Sequence, residues 1–233
     1  HLGMIDERQR LIAQNTPATA AFYGQVVEVD ADYVAEMVRQ EMVERFGNGA
    51  YNDGYVVYTT VEADLQQAAH DALLQGLRTY DWRHGWRGPE RRLAPREDET
   101  PKQTRARWEQ ALRDMPTIAK LPPAIVTSVS GSGVTTLNKT GESIFLSWEG
   151  DLSSVRGYRS VNQTAAPASQ PDELLAPGDM IRIRESEDGW RLAQVPKAQS
   201  ALVSLDPKHG AIRALVGGMG FELSKFNRAT QAK

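Results

Sequence analysis

The sequence contains no cysteine, which excludes disulfides and thiolate metal sites. Its four histidines, His1, His70, His84 and His209, are dispersed without the spacing of a zinc ligand set, so neither a metal nor another cofactor is expected. No run approaches the roughly 20 apolar residues that a membrane span needs. The first residues also lack the charged-then-apolar pattern of a secretory signal. An excess of one charge is missing too. With 27 basic and 30 acidic side chains the net charge is −3, which offers no general attraction to nucleic acid or to anionic lipid. There are no internal repeats and no low-complexity tract. What is present is 233 residues with 40% hydrophobic side chains, enough for one large domain or two modest ones.

The opening, His1 to Gln14, has the apolar spacing of a short helix but neither a cap nor an initiator methionine, and reads as entered partway through a longer chain. A strand is expected at Gln25 to Val29. From Asp32 to Phe46, Val34, Met37, Val38 and Met42 fall on one helical face, with Asp30 or Asp32 placed to cap and Gly47 to stop the helix. The β-branched and aromatic stretch Tyr55 to Thr60 predicts a strand. It feeds a second helix carrying Leu65, Ala69, Leu73 and Leu77, for which Thr59 and Glu62 are spaced as a capping box.

From Asp81 the composition shifts to crowded Gly, Pro, Trp and Arg, and a domain boundary is expected near Gly88. A helix over Thr104 to Met115 follows. Five short strands come next: Ile125 to Val129, Val134 to Asn138, Ser143 to Trp148, Met180 to Arg184 and Trp190 to Val195. Their turns fall at Ser130-Gly131-Ser132-Gly133, Lys139-Thr140-Gly141 and Glu187-Asp188-Gly189. Five short strands suggest a small closed barrel, for which the OB-fold is the commonest solution. Last come two apolar runs, Ala201 to Leu205 and Ala211 to Val216, flanking a Pro207 and Gly210 turn. They are expected as a hairpin largely buried in a larger sheet.

That last segment, Ala201-Leu-Val-Ser-Leu-Asp206-Pro207-Lys-His-Gly210-Ala-Ile212-Arg-Ala214-Leu-Val216-Gly217-Gly218 followed by Phe226-Asn227-Arg228-Ala229, resembles the opening of the transpeptidase domain of class A penicillin-binding proteins. Gly54 to Thr60 with Leu65-Gln66 and Ala68-Ala69 looks like that domain's first strand and helix. Leu2-Gly3-Met4-Ile5-Asp6-Glu7 is similar to the end of the family's glycosyltransferase domain. In the 1A type of these synthases an OB-like domain is inserted where the middle of this chain falls. The resemblance therefore implies an α+β architecture, a small five-stranded OB-like β-barrel inserted in an incomplete α/β transpeptidase lobe. The implied parts are 1–30 as linker from the glycosyltransferase domain, 31–88 as the first part of the lobe, 89–197 as the OB-like domain and 198–233 as the continuation of the lobe. The family's S-x-x-K serine nucleophile would follow Lys233, and its glycosyltransferase motifs would precede His1.

Two phrases spell active-site motifs of the serine β-lactam-binding enzymes, Lys139-Thr140-Gly141 and Ser160-Val161-Asn162. They come in reverse order, with no S-x-x-K anywhere in the sequence, and are read as a hairpin turn and a coincidence. Glu97-Asp98-Glu99 is read as a solvated loop rather than a catalytic carboxylate pair, and no catalytic residue is assigned. His70 is placed on the polar side of its helix and His209 in a turn, both structural or exposed. One stretch mixes aromatics with arginines in the manner of a protein docking surface or a nucleic-acid platform: Trp82, Trp86, Arg87, Arg91, Arg92 and Trp108. The alternative is that its tryptophans pack where barrel meets lobe and its arginines neutralise neighbouring acids. The net charge disfavours nucleic acid.

The resemblance implies a parent at the periplasmic face of the bacterial inner membrane, held by an N-terminal helix outside this sequence. It would act on lipid II and peptidoglycan and bind β-lactams through parts that this sequence does not include. An outer-membrane lipoprotein activator is the implied partner of the OB-like domain. The competing reading is a self-standing OB-fold module for peptidoglycan or single-stranded nucleic acid.

Overall fold

A computed structural model describes Asp6 and residues 29–233. The expected helix over His1 to Gln14, the strand from Gln25 and the Leu2 to Glu7 match fall almost entirely outside those residues. Helix α1 (Asp32–Phe46) stops where expected, the Gly47 amide donating to Val43 O, but Ala31 precedes it with no side-chain cap. Only Tyr33 of α1 is buried, so its apolar face is half covered. A single turn, α2 (Gly49–Asn52), precedes the long helix α3 (Ala63–Arg83).

Two expectations fail between α2 and α3. Glu62 is the N-cap of α3 and makes no side-chain cap bond, so the Thr59 and Glu62 capping box does not form. The stretch Tyr55 to Thr60 is not a strand; Tyr58 is 92% exposed. A strand needs a ladder, and among the described residues this segment offers only Thr60 Oγ1 to Ile212 O and, just beyond it, the Glu62 amide to Arg213 O.

Strands β9 (Leu202–Leu205) and β10 (Ile212–Val216) pair antiparallel as the expected hairpin. Their burial is one-sided: Ala214, Leu215 and Val216 are buried, whereas Val203 and Leu205 are exposed. The buried side receives Ala69, Leu73, Leu74 and Leu77 of α3, whose helical spacing places them on one face. Gln66 of α3 completes β10 as a neighbouring strand would. Its amide nitrogen donates to Leu215 O at 3.0 Å and its oxygen accepts the Leu215 amide at 2.8 Å.

Between α3 and β9 lies the middle domain. It holds β1 (Arg91–Arg92), α4 (Pro101–Asp114), β2 (Pro123–Ser130), β3 (Gly133–Asn138), β4 (Ser143–Ser147), β5 (Arg156–Ser160), β6 (Gln163–Pro167), β7 (Asp179–Ser186) and β8 (Gly189–Ala193). Strands β1, β7, β2, β3 and β4 are antiparallel neighbours in that order, and β8 pairs with β7. The five expected strands correspond to β2, β3, β4, β7 and β8. Strand β1 and the β5–β6 hairpin have no counterpart in the sequence reading, being too short or too polar to show a period.

The closed five-stranded barrel is corrected by this topology. Among the described residues the strands form an open six-stranded sheet, whose ends β4 and β8 lie close together without a ladder between them. The physical reason lies partly in Asp151. Its carboxylate accepts the Leu192 amide of β8 at 2.6 Å and so occupies a donor that a barrel-closing strand would need.

Side-chain alternation serves two cores. Ala124, Val126, Val134, Ile181 and Ile183 face one interior with Trp86, Leu152 and Leu175. Ile125, Leu137 and Met180 face the other side, where Trp108 and Leu112 of α4 cover them. Helix α4 opens with a reciprocal Thr100 and Gln103 capping box and a proline in its first turn.

Candidate functional site

The chain crosses between helical lobe and sheet domain twice, outward just after α3 and back just after β8. Asp81, near the end of α3, holds both crossings. Its carboxylate accepts Arg87 Nη1 and Nη2, each at 2.9 Å, and also the Lys197 amide at 3.0 Å. Arg87 Nη2 donates onward to Val195 O. Gln194 completes the tie, accepting the Arg87 amide and donating to Gly85 O, both at 3.0 Å. Such a part-buried hydrogen-bond network fixes how the two parts meet. Gly85 adds a steric requirement. It has a positive φ of 95°, and a Cβ there would meet the Gly157 and Tyr158 backbone.

A cavity of about 630 Å³ opens beside this tie, between α3 and the β7–β8 hairpin. Asp151 lines it, and burial pushes its carboxyl above the usual aspartate range against the opposing pull of the Leu192 amide and of Arg191 and Arg184.

The Trp and Arg residues singled out in the sequence do not gather into one exposed patch. Trp86 and Trp108 are core residues, 7% and 6% exposed, and Trp108 Nε1 donates to Leu93 O at 2.8 Å. Arg87 belongs to the junction. Arg92 donates to the buried Asp179 from Nε and Nη2. Packing therefore occupies Trp86 and Trp108, and ion pairs occupy Arg87 and Arg92, although the Arg92 side chain stays 57% exposed. Trp82 is half-buried at the cavity and Arg91 is exposed.

The motif look-alikes lie in turns. Lys139-Thr140-Gly141 joins β3 to β4, with Thr140 Oγ1 bonded to Asn138 and Glu142 and Lys139 Nζ donating to Met115 O. Ser160-Val161-Asn162 forms the exposed tip of β5–β6. The Glu97-Asp98-Glu99 loop is less free than expected: Glu99 accepts from Arg107 and Thr104, and Arg107 holds its carboxyl below the usual range. His70 is buried rather than polar-facing, with Nδ1 3.6 Å from an Asp30 carboxylate oxygen, because α3 turns that side toward the chain preceding α1. His209 sits in the β9–β10 turn as expected.

Sequence reasoning missed Asp81, Gln194, Asp151 and Arg182. Arg182 is 2% exposed and satisfied by Glu90, Pro116 O and Leu121 O. Only Arg182 and Gln194 interrupt apolar runs as a visible signal, and the partners of these residues lie 41 to 116 positions away or across a turn.

Comparison with known proteins gives a consistent result. The family model of the penicillin-binding protein OB-like domain matches residues 86–198. Penicillin-binding protein 1A of Pseudomonas aeruginosa is 46% identical over 233 residues, covering 100% of this chain and 27% of that relative. Penicillin-binding protein 1A of Escherichia coli is 40% identical over 99% of this chain and 27% of its own length. The crystal structure of penicillin-binding protein 1A from Haemophilus influenzae superposes with a TM-score of 0.75 at 37% identity, covering 98% of this chain and 31% of that one. The chain thus spans about a quarter of the length of the curated relatives it matches, along a stretch that contains their OB-like domain. By sequence from end to end, by domain match and by superposition, it belongs to the penicillin-binding protein family, 1A type.

Proposed function

We propose that the chain forms the middle section of a bifunctional peptidoglycan synthase. The whole protein would polymerise glycan strands and cross-link their peptides through a serine acyl-enzyme at the periplasmic face of the inner membrane. The observation that carries this reading is the alignment over all 233 residues with penicillin-binding protein 1A of Pseudomonas aeruginosa. Among the described residues no helix is long and apolar enough to cross a membrane, so attachment would rest on another part of the protein.

Within that protein these residues carry no catalytic group and the sheet domain, residues 89–197, serves as a docking and regulatory module. The exposed Arg91, with Trp82 and the outer face of Arg92, forms the rim offered to a lipoprotein activator of the outer membrane. Trp86, Arg87 and Trp108 would contribute to docking only indirectly, through the two cores and the junction in which they are held. The junction around Asp81 makes regulation plausible physically, since a load on the sheet domain reaches α3 through hydrogen bonds at both crossings.

The test uses two proteins. Fluorescent penicillin should leave the 233-residue chain unlabelled, as read by intact mass, and should label the whole synthase once. Deletion of residues 89–197 from the whole synthase should abolish its response to the activator while penicillin labelling survives. Labelling of the short chain would overturn the non-catalytic reading; an undiminished activator response would overturn the docking role.

A further inference from the structure

The cavity beside the junction has an unusual charge pattern. Its volume, about 630 Å³, lies within the range of small-ligand sites. Four guanidinium groups line it: Arg78 and Arg83 from α3, Arg184 from β7 and Arg191 from β8. Leu74 and Trp82 supply an apolar wall. Of two carboxylates present, Asp71 is already paired with Lys120 at 2.6 Å. Asp151 is occupied by the Leu192 amide.

The arginines, by contrast, are poorly partnered. Among the described residues the side chains of Arg83 and Arg184 make neither a hydrogen bond nor an ion pair. Arg78 donates Nη2 to Ala119 O, but its Nε is buried without a partner. Arg191 reaches only Asp188, which is 83% exposed. Burial and the neighbouring Arg184 charge both weaken the hold of Arg78 on its proton, and burial favours the neutral form of Asp151. Like charges brought together beside an apolar wall repel one another, and an oxyanion bridging two guanidinium groups removes that cost.

We propose that this cavity binds a small ligand with a phosphate or carboxylate head and a short apolar body, the head held by Arg78, Arg184 and Arg191 and the body lying against Trp82 and Leu74. The site shares Trp82 with the docking rim, but its arginines Arg78, Arg184 and Arg191 lie outside that rim, so anion binding is tested independently of any activator. Phosphate and carboxylate share the recognising chemistry, so the experiment separates them.

Isothermal titration of the 233-residue chain with phenyl phosphate, phenylacetate and benzyl alcohol is the test. At least one anion should bind at about millimolar concentration or below, with benzyl alcohol much weaker. The tighter anion identifies the head group. Arg184→Gln should weaken binding about tenfold while unfolding at nearly the same temperature as the parent chain, because the Arg184 side chain has no hydrogen bond or ion pair to lose. Arg191→Gln should behave alike, and Arg159→Gln on β5, outside the cavity, should change nothing. No binding of either anion, equal binding of benzyl alcohol, or binding indifferent to Arg184→Gln and Arg191→Gln would each overturn the assignment.

Discussion

Asp81 and Arg87, six positions apart, meet as a bidentate ion pair with two 2.9 Å bonds at the point where the helical lobe gives way to the sheet domain. The Asp81 side chain is 6% exposed and that of Arg87 18%. Because Asp81 also accepts the Lys197 amide, one carboxylate anchors the outgoing and the returning chain.

Removing that carboxylate should be costly. Asp81→Ala leaves the Arg87 guanidinium half-buried without its partner, and urea unfolding should show a loss of about 3 kcal/mol. The double variant Asp81→Ala with Arg87→Met should recover part of the loss, since it removes the stranded charge as well.

Asp151 should impose a pH dependence of the opposite kind to a surface carboxylate. Burial raises its folded-state pKa, with Arg184 and Arg191 opposing. Between the ordinary aspartate value and the raised one, the folded chain binds more protons than the unfolded one, so this group's contribution to stability falls as pH rises through that window. Asp151→Asn keeps an acceptor for the Leu192 amide. Melting curves from pH 3 to 8 should therefore show a flatter profile for the variant and no loss of stability at neutral pH.

Gly178 should tolerate no side chain. Its φ is +89°, and a Cβ would collide with Leu93 O, whose own amide is bonded to Gly178 O at 2.7 Å. Gly178→Ala should cost about 2 kcal/mol or more by denaturant unfolding, and should loosen β1 from β7 as seen in hydrogen exchange at Leu93.

Leu112 of α4 is fully buried against the sheet with Ile125, Leu137 and Met180. Leu112→Ala should lower stability by about 3 kcal/mol. The Trp108 ring beside it should redden in fluorescence as water enters, which a surface substitution such as Lys102→Ala will not reproduce.

Much of the fold was legible because it follows from local periods. The Leu73 and Leu77 spacing, the five alternating runs of the middle domain and the Gly141, Gly189 and Gly210 turns each depend on residues a few positions apart. The strand expected at Tyr55 to Thr60 illustrates the limit. Its residue types suit a strand, yet a strand exists only where a partner backbone satisfies it. The Trp and Arg stretch shows the same limit: Trp86 and Trp108 read alike with Trp82 in the sequence, but only tertiary packing decided that two face a core and one a cavity.

The sequence by itself determined the element types, the family and the absence of thiol chemistry, since these rest on composition, short-range pattern and motif. Tertiary structure alone decided that the sheet stays open, that Asp81 ties residues 116 positions apart, and that four arginines from three elements share one cavity. Those outcomes depend on which distant groups compete for the same donors, acceptors and space, and such competition leaves no period along the chain.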